Sequence, residues 1–343
     1  MNKKILVTGG LGYIGSHTVV ELQKEGYDVI IIDDLSNSEE FVLERITQIT
    51  NKKPEFHRFD LKDKGKTNLF FQYNQIDGII HFAASKAVGE STEKPLLYYR
   101  NNVVGLINLL EAAKENNVDN FIFSSSCTVY GQADNLPIDE SAPFKKAESP
   151  YGKTKQMGEE ILQDYSQAFD KKVIALRYFN PIGAHKSTLI GELPKGVPNN
   201  LIPFVTQTAA GIRESLSVFG DDYPTRDGTA IRDYIYVVDL AQAHVKALER
   251  LLSNENKINY EIYNLGTGNG STVLEVVDAF EKANNLNLNY RIVGRRPGDI
   301  TAAYADNTKA EKELGWKPET SLEFALKTAW EWQKSLDTTA IGQ

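Results

Sequence analysis

The chain has a single cysteine, Cys127, in 343 residues. One thiol excludes an intrachain disulfide and any cysteine-built zinc site. The five histidines, at 17, 57, 81, 185 and 244, are scattered and form no H-x-x-x-H pair. A protein-held metal is therefore not expected. Long apolar runs are missing too, since none approaches the ~20 residues that a membrane helix needs. Basic residues are in the minority, 38 against 46 acidic, for a net charge of −8. That balance argues against a nucleic-acid partner, which normally demands a basic patch. Low-complexity tracts and internal repeats are also absent. The first strand pattern begins near residue 3 with no secretory leader before it, which predicts a soluble, cytoplasmic protein.

What is present reads as alternating strands and helices. Hydrophobic content of 41% and charge of 24% suit a globular chain of one large unit and a smaller lobe. Apolar runs near 3–8, 28–33, 78–83, 121–126 and 173–178 alternate with helical patterns near 13–25, 39–49, 65–74, 95–116 and 150–169. A further strand ends at Asp60. This alternation predicts βαβ units and a Rossmann-type doubly wound parallel sheet over residues 1–180. Prolines and glycines crowd 181–228, with one helix expected near 199–213. Helices near 236–252, 272–284 and 306–313 and a strand near 260–265 complete the pattern. Residues 181–343 are expected to form mainly a smaller α/β substrate-binding lobe, with segments near 233–265 returning to the first unit. Thr338–Gln343 is expected to fray.

The most informative stretch is Gly9-Gly10-Leu11-Gly12-Tyr13-Ile14-Gly15, between the first strand and the first helix. Glycines let the backbone turn sharply and approach a pyrophosphate, and the helix start aims N–H groups at it. Asp33 ends the second strand 18 positions beyond Gly15, where a carboxylate accepts from ribose hydroxyls. Asp34 follows, and no basic residue comes before Arg45. A 2′-phosphate would meet two negative charges there, so NAD is favoured over NADP.

A second constellation is Tyr151-Gly152-Lys153-Thr154-Lys155 at a helix start, with Ser126 at the end of a strand. Tyr151 and Lys155 are four apart and share a helix face. A tyrosine ionises near pH 10, so at neutrality its phenolate costs about 4 kcal/mol. A neighbouring ammonium and a cationic nicotinamide ring would both reduce that cost. Ser126 could steady the reacting oxygen. Alone, Y-x-x-x-K is common on solvated helices; after the fifth strand of a dinucleotide fold it becomes specific.

Thr8–Gly15, Ser124-Ser125-Ser126, Val129-Tyr130-Gly131 and Tyr151–Lys155 together resemble the extended short-chain dehydrogenase/reductases. Within that family the chain is most similar to the nucleotide-sugar 4-epimerases. His81–Ser91, Arg177–His185, Pro198–Leu201 and Gly228–Tyr234 carry this likeness over nearly the whole chain. The resemblance implies NAD that stays bound while the C4 centre of UDP-glucose and UDP-galactose is reversibly inverted. Tyr151 would move the hydroxyl proton, Lys155 would hold the nicotinamide ribose, and Ser126 would bond the reacting oxygen. Cofactor contacts would map onto Gly9, Gly12, Tyr13, Ile14, Gly15, Asp33, Asp34, Asp60, Leu61, Phe82, Ala83, Lys86, Asn101, Ser124, Tyr151, Lys155 and Tyr178. Substrate contacts would map onto Lys86, Ser126, Tyr151, Phe179, Asn180, Asn200, Leu201, Ser217, Phe219, Arg232, Arg296, Asp299 and Ala303. Arg232 and Arg296 suit a diphosphate, because a guanidinium can grip phosphate with two parallel bonds. The family also implies a homodimer built on the helices near 95–116 and 150–169.

Two departures stand out. Cys127 and Thr128 follow Ser126, where dehydratases of this scaffold carry acidic residues, which disfavours dehydration. Ala303 aligns with a position that is a bulky tyrosine in some relatives. A methyl group there implies room for N-acetyl sugars, although a one-residue slip would put Tyr304 in the gate. Two other readings stay open at this point: another NAD-dependent sugar-nucleotide enzyme, such as a UDP-glucuronate epimerase or decarboxylase, and a non-catalytic NAD sensor.

Overall fold

The computed structural model describes residues 2–296 and 299–340. The first unit runs β1 (Lys4–Thr8), α1 (Tyr13–Lys24), β2 (Asp28–Asp33), α2 (Phe41–Thr50), β3 (Glu55–Arg58), α3 (Lys64–Tyr73) and β4 (Gly78–His81). It continues through α4 (Val88–Glu93), α5 (Pro95–Tyr99), a π-helical turn at Arg100–Val104, α6 (Gly105–Glu115), β5 (Asn120–Ser126), α7 (Pro150–Phe169) and β6 (Lys172–Tyr178). Then come β7 (Asn180–Ile182), α8 (Leu201–Ala209), β8 (Leu216–Phe219), β9 (Ile231–Tyr236), α9 (Val237–Leu252), β10 (Tyr260–Leu265) and β11 (Gly270–Thr272). The chain closes with α10 (Val273–Asn284), β12 (Tyr290–Val293), β13 (Ala302–Ala303), α11 (Thr308–Leu314) and α12 (Leu322–Ala340).

Seven parallel strands form the main sheet in the order β10-β6-β5-β4-β1-β2-β3. Helices cover both faces, so β1, β2 and β4 are apolar along their lengths instead of alternating. Ile5, Leu6, Val7, Ile30, Ile31, Ile79 and Ile80 are all essentially inaccessible. On one face α1 packs against α9. On the other, Leu106, Leu109, Phe121, Phe123 and Leu162 belong to one apolar cluster. The strand order reverses between β1 and β4, and at such a switch point the carboxyl ends of the strands part to leave a crevice. The glycine turn opens onto that crevice.

A second sheet pairs β9 with β7, β11 and β13, and a third pairs β8 with β12. Several of these strands have only two to four residues, too short for a sequence pattern to declare them. The expected helix at 95–116 is divided: Arg100–Val104 is a π-helical turn between α5 and α6. The 19-residue α12 was not among the expected helices. Its Leu322, Ala325, Leu326 and Ala329 recur at three- and four-residue spacing and belong to the second lobe's core cluster. Helix α12 is described to Ala340, so the expectation of fraying over 338–343 lies partly outside the described residues.

Candidate active site

The glycine turn is built for close approach. Gly9 has φ +70°, and a Cβ on it would lie 2.8 Å from the Ala83 nitrogen. A Cβ on Gly15 would sit 2.2 Å from the Gly9 carbonyl oxygen. Neither position admits a side chain, so β1 passes directly into α1. Gly12 caps α1 with no side-chain hydrogen bond, which leaves the first-turn N–H groups of Tyr13 and Ile14 without a side-chain acceptor. Lys86 reaches the same corner, its Nζ 5.8 Å from the centre of the Tyr13 ring.

At the end of β2, Asp33 is buried and shapes the turn from below. Its carboxylate accepts from the Leu11 N–H at 3.0 Å, the Leu35 N–H at 3.0 Å and the Ser38 hydroxyl at 2.7 Å. Burial raises its pKa while these donors oppose the rise. Asp34 is bonded to the Ser36 N–H at 2.8 Å, outside this cluster. Asp60 accepts from the Lys62 N–H at 2.8 Å beyond β3, and Leu61 beside it is buried. Phe82 and Ala83 follow β4, and the Phe82 ring lies 4.7 Å from His244 of α9. Asn101, in the π-helical turn, donates to Ser85 Oγ at 3.1 Å. These residues line the crevice side of the main sheet.

Ser126, Tyr151 and Lys155 meet over the ends of β5 and β6. Ser149 caps α7 by accepting from the Gly152 N–H at 3.1 Å, and Pro150 occupies the first turn. Tyr151 therefore sits at the positive end of a 20-residue helix, which favours an anion there. Lys155, one turn on, lies 5.8 Å from the Tyr151 ring centre and donates to the Ser124 carbonyl at 2.5 Å. Ser124 Oγ and the Tyr178 hydroxyl are hydrogen-bonded to each other. Burial pushes the Lys155 ammonium down to about 8, with Glu159 pulling it back up.

The Tyr151 phenol differs from the sequence expectation. Burial pushes it up to about 12, and the Ser126 hydroxyl only partly offsets that rise. The physical reason is that burial desolvates the phenolate, while the Lys155 ammonium is engaged by the Ser124 carbonyl. A phenol near 12 needs a further positive charge before it can act as a base at neutral pH.

Sequence reasoning missed what fixes this cluster in place. Asn102 donates to Thr154 Oγ1 at 3.0 Å and accepts from the Ser85 N–H at 2.8 Å, tying α7 to the turn after β4. Two adjacent asparagines inside a helical pattern are poor helix formers, and that was the available signal. Glu159 accepts from Arg177 Nη2 at 2.7 Å and from Tyr260 at 3.0 Å, and is also bonded to Ser125. This buried ion pair underlies the three-serine run.

The second lobe supplies the remaining expected residues. Asn180 opens β7 in register with Tyr234. Asn200 precedes Leu201 at the start of α8 and donates to Glu192 Oε1 at 2.7 Å. Ser217 and Phe219 lie on β8, with the Arg296 guanidinium 4.4 Å above the Phe219 ring. Arg232 of β9 is ion-paired with Asp299. Ala303 pairs with Arg232 in register and is buried in a cluster with Phe179, Val129 and Tyr130, with Cys127 packed against it. Tyr304 turns to the other side, where a Cβ on Gly270 would lie 3.0 Å from its ring. Ala303, not Tyr304, therefore shares the Phe179 side. Among the described residues no group of three His, Cys, Asp or Glu side chains could hold a metal ion. Among the same residues, no helix is long and apolar enough to cross a membrane.

A parallel sheet with this glycine turn, an acidic second-strand terminus and a Ser–Tyr–Lys cluster defines an extended short-chain dehydrogenase/reductase scaffold. Comparison with known proteins narrows the class. Residues 6–329 match the family model described as GDP-mannose 4,6 dehydratase. The UDP-glucose 4-epimerase of Haemophilus influenzae is 52% identical over 332 residues, spanning 96% of this chain and 97% of its own. The crystal structure of a UDP-glucose 4-epimerase from Stenotrophomonas maltophila, with bound NAD and formylated UDP-arabinopyranose, has a TM-score of 0.95. Its identity is 46%, covering 98% of this chain and 100% of that one. The enzyme from Bifidobacterium longum, in complex with NAD+ and UDP, has a TM-score of 0.93 at 48% identity, over 97% of this chain and 98% of that one. The chain belongs to the UDP-glucose 4-epimerase family.

Proposed function

We propose that this protein reversibly inverts C4 of UDP-glucose and UDP-galactose with NAD bound as a resident cofactor. The observation that carries the reading is the Ser126–Tyr151–Lys155 cluster, its serine and lysine buried and its tyrosine part-exposed, beside a glycine turn that admits no Cβ. The residues present fit the dinucleotide: Gly9 to Gly15 and Lys86 at its diphosphate, Asp33 at a ribose, and Tyr178, Ser124 and Lys155 towards the nicotinamide. When bound, NAD supplies the hydride acceptor and donor for C4 and a positive ring beside Tyr151.

Tyr151 takes the proton from the 4-hydroxyl and later returns it. Ser126 donates to the same oxygen and holds it in line with Tyr151. Lys155, protonated at neutral pH with a pKa of about 8, keeps a cation near the phenol. The keto sugar turns over between the half-reactions, which requires a hexose pocket that does not grip the ring on both faces. Arg232 and Arg296 bind the UDP diphosphate, Asp299 holds the Arg232 guanidinium in place, and Phe219 packs on the uridine side. Cys127 and Thr128 provide no carboxyl for elimination of water.

Ala303 leaves a methyl group beside Phe179 where a large side chain would fill the sugar's surroundings, so the pocket also takes UDP-N-acetylhexosamines. We further place two protein copies face to face, because Leu96, Leu97, Val104 and Ile107 leave apolar surface along α5, the π-helical turn and α6. A single unpaired thiol suits the reducing cytoplasm.

Purified protein incubated with UDP-galactose and no added NAD tests the function. Appearance of UDP-glucose is expected. Activity only with added NAD would remove the resident cofactor from the account, and no product under either condition would remove the epimerase reading.

A further inference from the structure

Glu192 sits where the two lobes meet, on the segment between β7 and α8. Its Oε1 accepts from Lys86 Nζ at 3.1 Å and from Asn200 Nδ2 at 2.7 Å. Lys86 belongs to the turn after β4, at the glycine-turn corner. Asn200 belongs to the second lobe, at the start of α8. One carboxylate oxygen thus holds a cation from one side of the crevice and an amide from the other. The Glu192 side chain is only 12% exposed.

Its mounting is independent of its own side chain. The Trp332 indole donates to the Glu192 carbonyl at 2.9 Å, and a Cβ on Gly191 would lie 2.5 Å from the Trp332 ring. Lys195 pins the same segment to the loop after β2, donating to the Leu35 and Ser36 carbonyls at 3.2 and 3.3 Å. A truncated residue 192 would leave these anchors in place.

We propose that Glu192 is a positioning residue that aims Lys86 and Asn200 at the cofactor and the sugar nucleotide together. This rests on the NAD and UDP-sugar reading above. An ammonium has three N–H donors and a primary amide two, so Glu192 occupies one of each and leaves two and one for phosphate or sugar oxygens. Both side chains are then held before ligand arrives, and the entropy of ordering them is not charged against binding.

Titration calorimetry on the full chain, with UDP and, after the resident cofactor has been stripped, with NAD, tests this, with circular dichroism confirming that each variant is folded. Glu192→Ala is expected to weaken both ligands by about five- to tenfold. Glu192→Gln keeps an acceptor oxygen for both donors and is expected to stay within about threefold of the parent. In a Lys86→Ala background, Glu192→Ala should cost NAD affinity less than about twofold, since its target is gone. Unchanged or tighter binding by Glu192→Ala would overturn the proposal, because it would make the carboxylate a bystander or a competitor. So would an equal cost for NAD with and without Lys86, which marks a merely structural role. Failure of the stripped parent protein to bind NAD or UDP would instead sink the functional reading.

Discussion

Lys155→Met removes a buried charge that the fold does not need, so the variant should be more stable and catalytically dead. In the folded protein Lys155 titrates at about 8, against 10.5 for a free lysine. That difference makes the ammonium costly by roughly 3 kcal/mol at neutral pH. Methionine, of similar length, escapes this cost but loses the hydrogen bond to the Ser124 carbonyl, worth about 1–1.5 kcal/mol. The net gain is about 1–2 kcal/mol, or a rise of about 1.5–3 °C in Tm for a chain of this size. The folded state releases the Lys155 proton at a lower pH than the unfolded state does. Parent stability therefore rises with pH between about 8 and 10.5, and the advantage of methionine should shrink across that window. Thermal unfolding of both proteins without cofactor, at pH 7 and pH 10, reads the effect. A variant less stable than the parent at pH 7, or an advantage that does not change with pH, would refute the reasoning.

Other substitutions test other parts of the site. Tyr151→Phe keeps the ring and removes the proton carrier, so turnover should fall about 10²–10⁴-fold with NAD still bound, as judged by the cofactor content of the purified protein. Glu159→Gln leaves the buried Arg177 guanidinium without its counter-charge and should cost about 3–5 kcal/mol in denaturant unfolding. Gly15→Ala places a Cβ 2.2 Å from the Gly9 carbonyl, so cofactor content should drop to near zero even in folded protein. Ala303→Tyr fills the Phe179 side of the pocket, and turnover of UDP-N-acetylgalactosamine should fall at least tenfold more than that of UDP-galactose.

The parts of the molecule legible in the sequence are those whose cause is local. Ile30-Ile31-Ile32 ending in Asp33 reads as a buried strand because a strand covered on both faces has no polar side. Gly9 and Gly15 announce a turn because a Cβ would collide there, and Ser149-Pro150 announces the helix that presents Tyr151. Features that depend on distant pairing were not legible. Strand β13 is two residues long and exists only because Ala302 and Ala303 pair with Ile231 and Arg232. The Lys86–Glu192 contact joins positions 106 residues apart. The Tyr151 phenol was expected to be lowered by Lys155, yet burial, which no spacing rule reports, decides its direction. Ala303 and Tyr304 are adjacent in sequence, and only the fold shows that Ala303 packs with Phe179 while the Tyr304 ring lies beside Gly270. Helix α12 is a different case, since its Leu322, Ala325, Leu326 and Ala329 carry a helical period in the sequence itself.

The proposed epimerisation requires that hydride leave C4 and return to the same carbon without exchanging with water. Incubating the protein with UDP-galactose deuterated at C4 and following the label by NMR tests it most directly. UDP-glucose with deuterium retained at C4 and none lost to solvent is expected. Loss of the label to water would contradict it, because Tyr151 would then be removing a carbon-bound proton and not the hydroxyl proton.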